Sequence, residues 1–388
     1  MLGLESIREE FPALAAWRHF DSARKAPLPR VALDAMNDWL EDVHATGGAF
    51  AYSERLVEEA RSRLATLAGT GPEHIAFTSN ASEGINYVSA GLDWRPKDNV
   101  VITSQEHPAN VLPWRRLADR GVELRVASGR EDAPVHPERI LDLVDERTRV
   151  ISVSWVSYAH GHRLDVRPLA NACRSSDRLL VIDGIQGMGL LNQPLPGLGA
   201  DVFVSGAHKG LFGLPGSGFV YTSERALRLV KPVFVGRHSF GSDDPWEASL
   251  QPTDGARRFE YGNRNYLGIA VLGATASWLH ELGLEAVEQT IRRASTAALE
   301  AARRRHLEAA TSELWSQRAS IVTLRLPAAR SLRDKLRERG YLVSAKSDAW
   351  IRLSFQLYHD EDRARDLIDT LADCHEHASN PGQGAAPR

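Results

Sequence analysis

Cysteine is scarce in this chain. Two occur among 388 residues, Cys173 and Cys374, far apart and in no CxxC or His-x-x-Cys grouping. That usage excludes a disulfide framework and a thiolate metal site, and it makes the cytoplasm the default compartment. Long apolar runs are missing too: no stretch of about 18 apolar residues occurs, and the acidic, amphipathic start MLGLESIREE suits neither a spanning helix nor a signal peptide, so no membrane partner is expected. Charge of one sign is also lacking. The 47 basic and 50 acidic side chains are interspersed and give a formal charge of −3, which offers no footprint for nucleic acid. No repeat of solenoid period appears. What is there is ordinary globular composition, 43% hydrophobic and 25% charged, in a chain long enough for two cores.

Between about 73 and 222, short apolar runs alternate with helical patterns. The runs are His74–Thr78, Asn99–Thr103, Glu123–Ala127, Val150–Trp155, Leu179–Ile182, Val202–Ser205 and Gly218–Tyr221. Most are continuously apolar, as strands buried on both faces are. With helices such as Ser82–Ala90, Val111–Ala118 and Val166–Ser175 between them, they predict an α/β fold with a doubly wound, mostly parallel sheet. After Gly262 the texture changes to a long helical stretch (265–306), β segments at Ser320–Leu326, Tyr341–Lys346 and Trp350–Gln356, and helices near 331–340 and 360–375. This predicts a smaller α+β domain of residues 263–376, joined by residues 1–20, beside a large domain of 21–262. The small, polar tail 377–388 is expected to be disordered.

Three segments carry chemistry. Leu180-Val-Ile-Asp183-Gly-Ile-Gln186 ends an apolar strand in a carboxylate, at the edge where open α/β sheets bind ligands; a plain helix cap or loop aspartate is the alternative. Ala200-Asp-Val-Phe-Val-Ser205-Gly206-Ala-His208-Lys209 ends a second strand in lysine, ahead of a glycine-rich turn. A lysine there is costly unless paired or used, though a surface lysine in a tight turn would look similar. Phe77-Thr-Ser-Asn80-Ala81-Ser82-Glu-Gly84 is a strand, a hydroxyl-rich turn and a helix start, which either binds an anion or is a simple capping box. Together they suit pyridoxal phosphate (PLP), which needs an amine for its aldehyde, an anion beside its ring nitrogen and donors for its phosphate.

The order TSNASEGIN, SQEHPAN, VIDGIQ, SGAHKGLFGLPGSGFVY resembles the class V aminotransferases, PLP enzymes of fold type I that include cysteine desulfurases and isopenicillin N epimerase-like proteins. The similarity runs from Ile7-Arg-Glu-Glu-Phe-Pro to Trp350-Ile-Arg352-Leu-Ser-Phe. It implies that Lys209 holds the cofactor and moves the substrate's Cα proton, that Asp183 pairs with the ring nitrogen, and that Gln186 bonds the ring's 3-oxygen. It further implies that His107 stacks on the ring, and that Ser82, the Ala81 amide and His208 contact the phosphate. Asn263 aligns with a segment that reaches a neighbouring subunit's phosphate, implying a homodimer with shared active sites. Arg352 matches the clamp for a substrate carboxylate, a bidentate task.

Departures from the family refine these expectations. The stretch Gly340–Arg352 is short and has no cysteine, so a persulfide-forming desulfurase is not expected. Gly206 stands where relatives have a phosphate-binding serine, and Ser205 or a backbone amide would substitute. Tyr158 and Arg163, near His160 and His162, are candidate substrate contacts; no third ligand accompanies the histidines, so no metal is expected. The first expectation for the reaction is C–S β-elimination of a cysteine S-conjugate. Behind it stand an aminotransferase or epimerase of a small amino acid, and a decarboxylation-coupled deamination like that of lincosamide-biosynthesis relatives. The complete set Lys209, Asp183, Gln186 and His107 argues against a non-catalytic scaffold.

Overall fold

Thirteen strands organise the computed structural model, which describes residues 3–130, 132–174, 176–241, 244, 246 and 251–379. In chain order they are β1 (Arg18–His19), β2 (Ile75–Thr78), β3 (Asn99–Thr103), β4 (Glu123–Ala127), β5 (Thr148–Ser154), β6 (Leu179–Asp183) and β7 (Val202–Gly206). There follow β8 (Gly218–Thr222), β9 (Glu308–Ala309), β10 (Ile321–Arg325), β11 (Tyr341–Leu342), β12 (Ser344–Ala345) and β13 (Trp350–Ser354).

Seven strands make one sheet in the order β2-β8-β7-β6-β5-β3-β4, parallel except for β8, which runs antiparallel between β2 and β7. This is the doubly wound, mostly parallel sheet expected. Its inner strands are apolar throughout because successive side chains enter different cores. On β6, Leu180 and Ile182 join one core while Leu179 and Val181 join the other; on β7, Phe203 parts in the same way from Val202 and Val204. The helix Ala81–Gly91 covers the second face through Ile85 and Val88. Helices Glu54–Ala68 and Tyr266–Leu282 cover the first. Gly84 lets the helix Ala81–Gly91 sit close to the sheet, since a Cβ there would stand 2.6 Å from Val204 Cγ1.

A four-stranded antiparallel sheet, β12-β13-β10-β9, lies after residue 306, and β1 pairs in parallel with β11. The helical stretch 265–306 is two helices, Tyr266–Leu282 and Leu284–Arg304, bent by 78° at Gly283, whose φ of 80° ends the first. Among the described residues no single helix is long and apolar enough to cross a membrane. The last helix runs Glu361–Ser379, so residues 377–379 of the expected tail are helical instead, and the tail from 380 onward lies outside the described residues.

Candidate active site

The carboxyl ends of β2, β3, β5, β6 and β7 share one edge of the large sheet, and each releases a loop bearing a candidate residue. Lys209 follows β7 in a turn closed by Phe212 N donating to Lys209 O at 3.2 Å. Phe212 holds that turn in the left-handed region (φ 54°) with its ring buried, a strained conformation that the surrounding packing fixes. The Lys209 ammonium has no hydrogen-bond or ion-pair partner among the described residues. Burial brings its pKa down to about 8, with the Asp183 carboxylate opposing and the Arg352 guanidinium assisting.

Asp183, at the end of β6, is buried, and its Oδ1 accepts from Ile185 N at 3.1 Å. Burial pushes its carboxyl upward, against the Ile185 amide and the Lys209 charge. Gln186 is buried beside it and donates from Nε2 to Ala23 O at 3.0 Å. After β2, Asn80 caps the helix: its Oδ1 accepts from Glu83 N at 3.0 Å, while Glu83 Oε2 accepts from Ser79 N at 2.5 Å. The helix start is therefore capped, by the Asn80 side chain and not by the Ser79 hydroxyl. This cap leaves the Ala81 and Ser82 amides and the Ser82 hydroxyl uncommitted among the described residues, at the positive end of a helix of 11 residues.

Ser205 is buried and turns its hydroxyl onto Gly206 O at 3.2 Å. A Cβ on Gly206 would meet Ile185 Cδ1 at 3.1 Å and His208 Nδ1 at 3.3 Å, so the His208 ring crowds the place of the relatives' serine. Burial and the charges of Lys209 and Lys25 lower the His208 pKa to about 4, making it a neutral ring.

After β3, Glu106 is buried and accepts from Thr103 Oγ1 (2.7 Å), Asn110 Nδ2 (2.8 Å) and Ser154 Oγ (2.6 Å). These bonds anchor the loop that presents His107 to solvent. His107 Nδ1 accepts from Ala109 N at 3.2 Å, and its ring meets Tyr158 edge-on at 5.1 Å. Burial, then Lys209, Lys346 and Arg352, hold its pKa below the usual histidine value.

Arg352 is buried on β13. Its Nη1 donates to Tyr158 O at 2.8 Å, its Nη2 lies 3.3 Å from Ser344 Oγ and 3.4 Å from Asp21 Oδ1, and its buried Nε has no partner. Asn263 is exposed, on a segment that lines a pocket with Thr78, Ser79 and Glu83. Its neighbour Arg264 is tied to Glu54 (2.7 Å) and Glu260 (2.6 Å).

Lys209, Asp183, Gln186, His208, His107, Tyr158 and Arg352 thus converge. Arg163 is held elsewhere, 5.4 Å over the Trp155 ring and 3.7 Å from Glu288. His160 and His162 are buried, His160 edge-on to Trp350 and His162 donating from Nε2 to Ala310 O at 3.0 Å. Two residues escaped the sequence reading. Asp21 bonds Ser344 and Arg352. Lys346, in the short stretch without cysteine, lies 4.9 Å over the Tyr158 ring. Neither has a local signal; both gain meaning from residues distant in sequence.

The set fits PLP on its own chemistry: an unpartnered amine of lowered basicity, a buried carboxylate short of a cation, and free amides at a helix start. Both cysteines are buried, and burial pushes the Cys173 thiol up to about 12.

Residues 18–362 match the family model described as aminotransferase class-V. A probable cysteine desulfurase of Methanothermobacter thermautotrophicus is 33% identical over 290 residues, covering 74% of this chain and 72% of its own. The apo cysteine desulfurase of Thermococcus onnurineus superposes with a TM-score of 0.88 at 22% identity, over 97% of this chain and 99% of that one. The cystine C–S lyase C-DES, solved with glycine covalently linked to its PLP cofactor, gives 0.86 at 24% identity, over 94% and 99%. These relatives overturn the expectation that this chain stands apart from the persulfide-forming desulfurases. Its ground was one short loop between 340 and 352, whereas the likeness runs over most of the chain.

Proposed function

The chain belongs to the class V aminotransferase family of PLP enzymes, and from that premise we propose that it cleaves the C–S bond of a cysteine-type amino acid. One observation carries the reading: Lys209, Asp183 and Arg352 meet at one sheet edge, in a chain whose relatives are named for sulfur removal from cysteine. When bound, PLP supplies an aldehyde for an amine and a ring that draws electrons from the substrate's Cα. The chain's own residues do the rest. Asp183 would hold the proton on the ring nitrogen, Gln186 would offer its second amide hydrogen to the 3-oxygen, and His107 would cover the ring face. The Ala81 amide, Ser82 and His208 would receive the phosphate, joined by Ser205 if its hydroxyl turns from Gly206 O. Arg352 takes the substrate carboxylate through its unpartnered donors, Tyr158 walls the pocket, and Lys209 moves the Cα proton.

We further read the protein as a homodimer, with Asn263 of one subunit approaching the other's phosphate. The exposed apolar run Val233-Phe234-Val235, with Phe234 packed 5.6 Å from the Tyr261 ring beside Asn263, supports this. Scattering in solution would reveal a monomer if the reading is wrong.

The reaction is tested by incubating the PLP-loaded protein with L-cysteine, L-cystine and S-alkyl-L-cysteines, with and without a keto-acid acceptor, and identifying products by mass spectrometry. Alanine with released sulfur marks desulfuration, and pyruvate with ammonia marks β-elimination. No sulfur product from any compound rejects the reading.

A further inference from the structure

The rim of the Lys209 site carries cations besides Lys209 and Arg352. Lys346 feels Arg352, Lys209 and Arg24 as like charges, and Asp21 as the opposing one. Asp21 is already bonded to Ser344 and Arg352. Once PLP occupies Lys209 and a substrate carboxylate takes Arg352, the Lys346 ammonium is left over. Among the described residues it has no hydrogen bond or ion pair, only the face of Tyr158 at 4.9 Å. Arg24 is exposed and likewise has no ion pair. Tyr158 links the groups: its backbone carbonyl holds Arg352, its ring stands perpendicular to that of His107 at 5.1 Å, and its face carries Lys346. The ammonium therefore sits across one residue from the carboxylate clamp, where a substrate side chain would project. Lys346 is exposed at this rim, and a cation there with no anion of its own gains from one arriving with the ligand.

We propose that Lys346, with Arg24 beside it, binds a second anionic group on the substrate's side chain, so that the site selects dianionic cysteine-type amino acids over neutral ones. This rests on the reading that Arg352 and Lys209 receive an amino acid. The plain alternative is a surface lysine resting on an aromatic ring.

S-carboxymethyl-L-cysteine and S-carbamoylmethyl-L-cysteine have the same length and differ by one charge, so they form the test pair. For each protein the ratio of kcat/KM for acid over amide is measured. The ratio of affinities is measured by calorimetry on the borohydride-reduced holoenzyme, which cannot turn over. Wild type should favour the acid by about tenfold or more in both, as a charge-assisted hydrogen bond does. Lys346→Gln should bring both ratios near one, and because each is taken within one protein, a loss of folded fraction cancels. Lys346→Glu should turn the preference toward S-(2-aminoethyl)-L-cysteine. A wild-type ratio near one, or a ratio unmoved in Lys346→Gln, overturns the proposal. A binding preference that depends on Lys346 without cleavage of either compound supports it while rejecting C–S cleavage. Cleavage of both compounds with no charge preference does the reverse.

Discussion

The amine of Lys209 should be far more reactive at neutral pH than an ordinary lysine, and its two charged neighbours should move that reactivity in opposite directions. Burial is the main cause: it takes the pKa from 10.5 to about 8 in the cofactor-free protein. At pH 7 a lysine of pKa 8 is a free amine about one time in eleven, against roughly one in 3,000 for the ordinary value, a gain of about 300-fold in the form that attacks an aldehyde. Asp183 raises the value and Arg352 lowers it. Asp183→Asn should therefore shift the titration to lower pH, and Arg352→Gln should shift it to higher pH. The assay is the rate of Lys209 acetylation in the apoenzyme between about pH 6 and 11, read by peptide mass spectrometry against unperturbed lysines in the same digest. A midpoint near 10.5 would show that the pocket admits water freely. A rise in Asp183→Asn would show that the carboxylate does not face the amine, and the proposed cofactor frame would lose its centre.

Arg352→Lys, which keeps the charge but loses the fork, should raise KM about ten- to a hundredfold, with kcat falling as well if orientation contributes; a silent variant places the substrate carboxylate elsewhere. Glu260, 2% exposed at its side chain, accepts from Arg61 at 2.6 and 3.1 Å, from Arg264 at 2.6 Å and from Phe77 N at 2.8 Å. Glu260→Gln should cost about 2–4 kcal/mol in urea unfolding, below the full penalty for a broken buried pair because Arg61 and Arg264 keep the half-exposed Glu58 and Glu54; a loss below about 0.5 kcal/mol would refute the cluster's role. His359 is buried and stacked 4.0 Å from Phe20, and burial holds its pKa well below 6.5, so the fold takes it neutral. Stability should be full above about pH 6.5 and fall as the unfolded chain gains a proton that the fold refuses, by at most about 1.4 kcal/mol per pH unit; His359→Gln should shrink the difference between pH 7 and 5.5, and an unchanged difference would refute this.

The sheet was legible because β5, β6 and β7 are buried on both faces and so read as unbroken apolar runs. Asp183 and Lys209 stood out for the same reason, as charges abutting those runs. Gly283 was read through, since one glycine inside a helical pattern is only a weak stop, yet here its positive φ turns the chain by 78°. The helix Arg30–Thr46 and the two-residue strand β1 went unread, and the single β segment expected at Tyr341–Lys346 is two short strands, β11 and β12; strands so short have no periodicity, and their pairing is decided by distant partners. Arg163 looked like a pocket residue from its neighbours in sequence. Its position is set instead by Trp155 and by Glu288 on the helix Leu284–Arg304. Lys346 and Asp21 are the converse case, ordinary in sequence and placed by the fold.

The segment 18–26 shows why both ends of the chain matter to one site. Arg18 and His19 pair with Tyr341 and Leu342, Asp21 bridges to Ser354, and Ala23 N donates to Ser354 Oγ at 2.9 Å, all beside the strand that carries Arg352. From its other side the same segment takes Gln186 Nε2 on Ala23 O and gives Ala26 N to His208 O, each at 3.0 Å. One short run of backbone therefore sets Arg352, the proposed carboxylate clamp, and the loops proposed to hold the cofactor in a common frame, which is the precision that catalysis asks of groups on separate elements. Asp21 adds an electrostatic part. At 3.4 Å from Arg352 Nη2 it is close enough to temper the guanidinium's charge. That separation is also longer than a strong charge-assisted bond, so an arriving carboxylate can bind Arg352 more tightly than Asp21 does. On the proposed reading, Arg352 is held in place by a weak partner and left free for a better one.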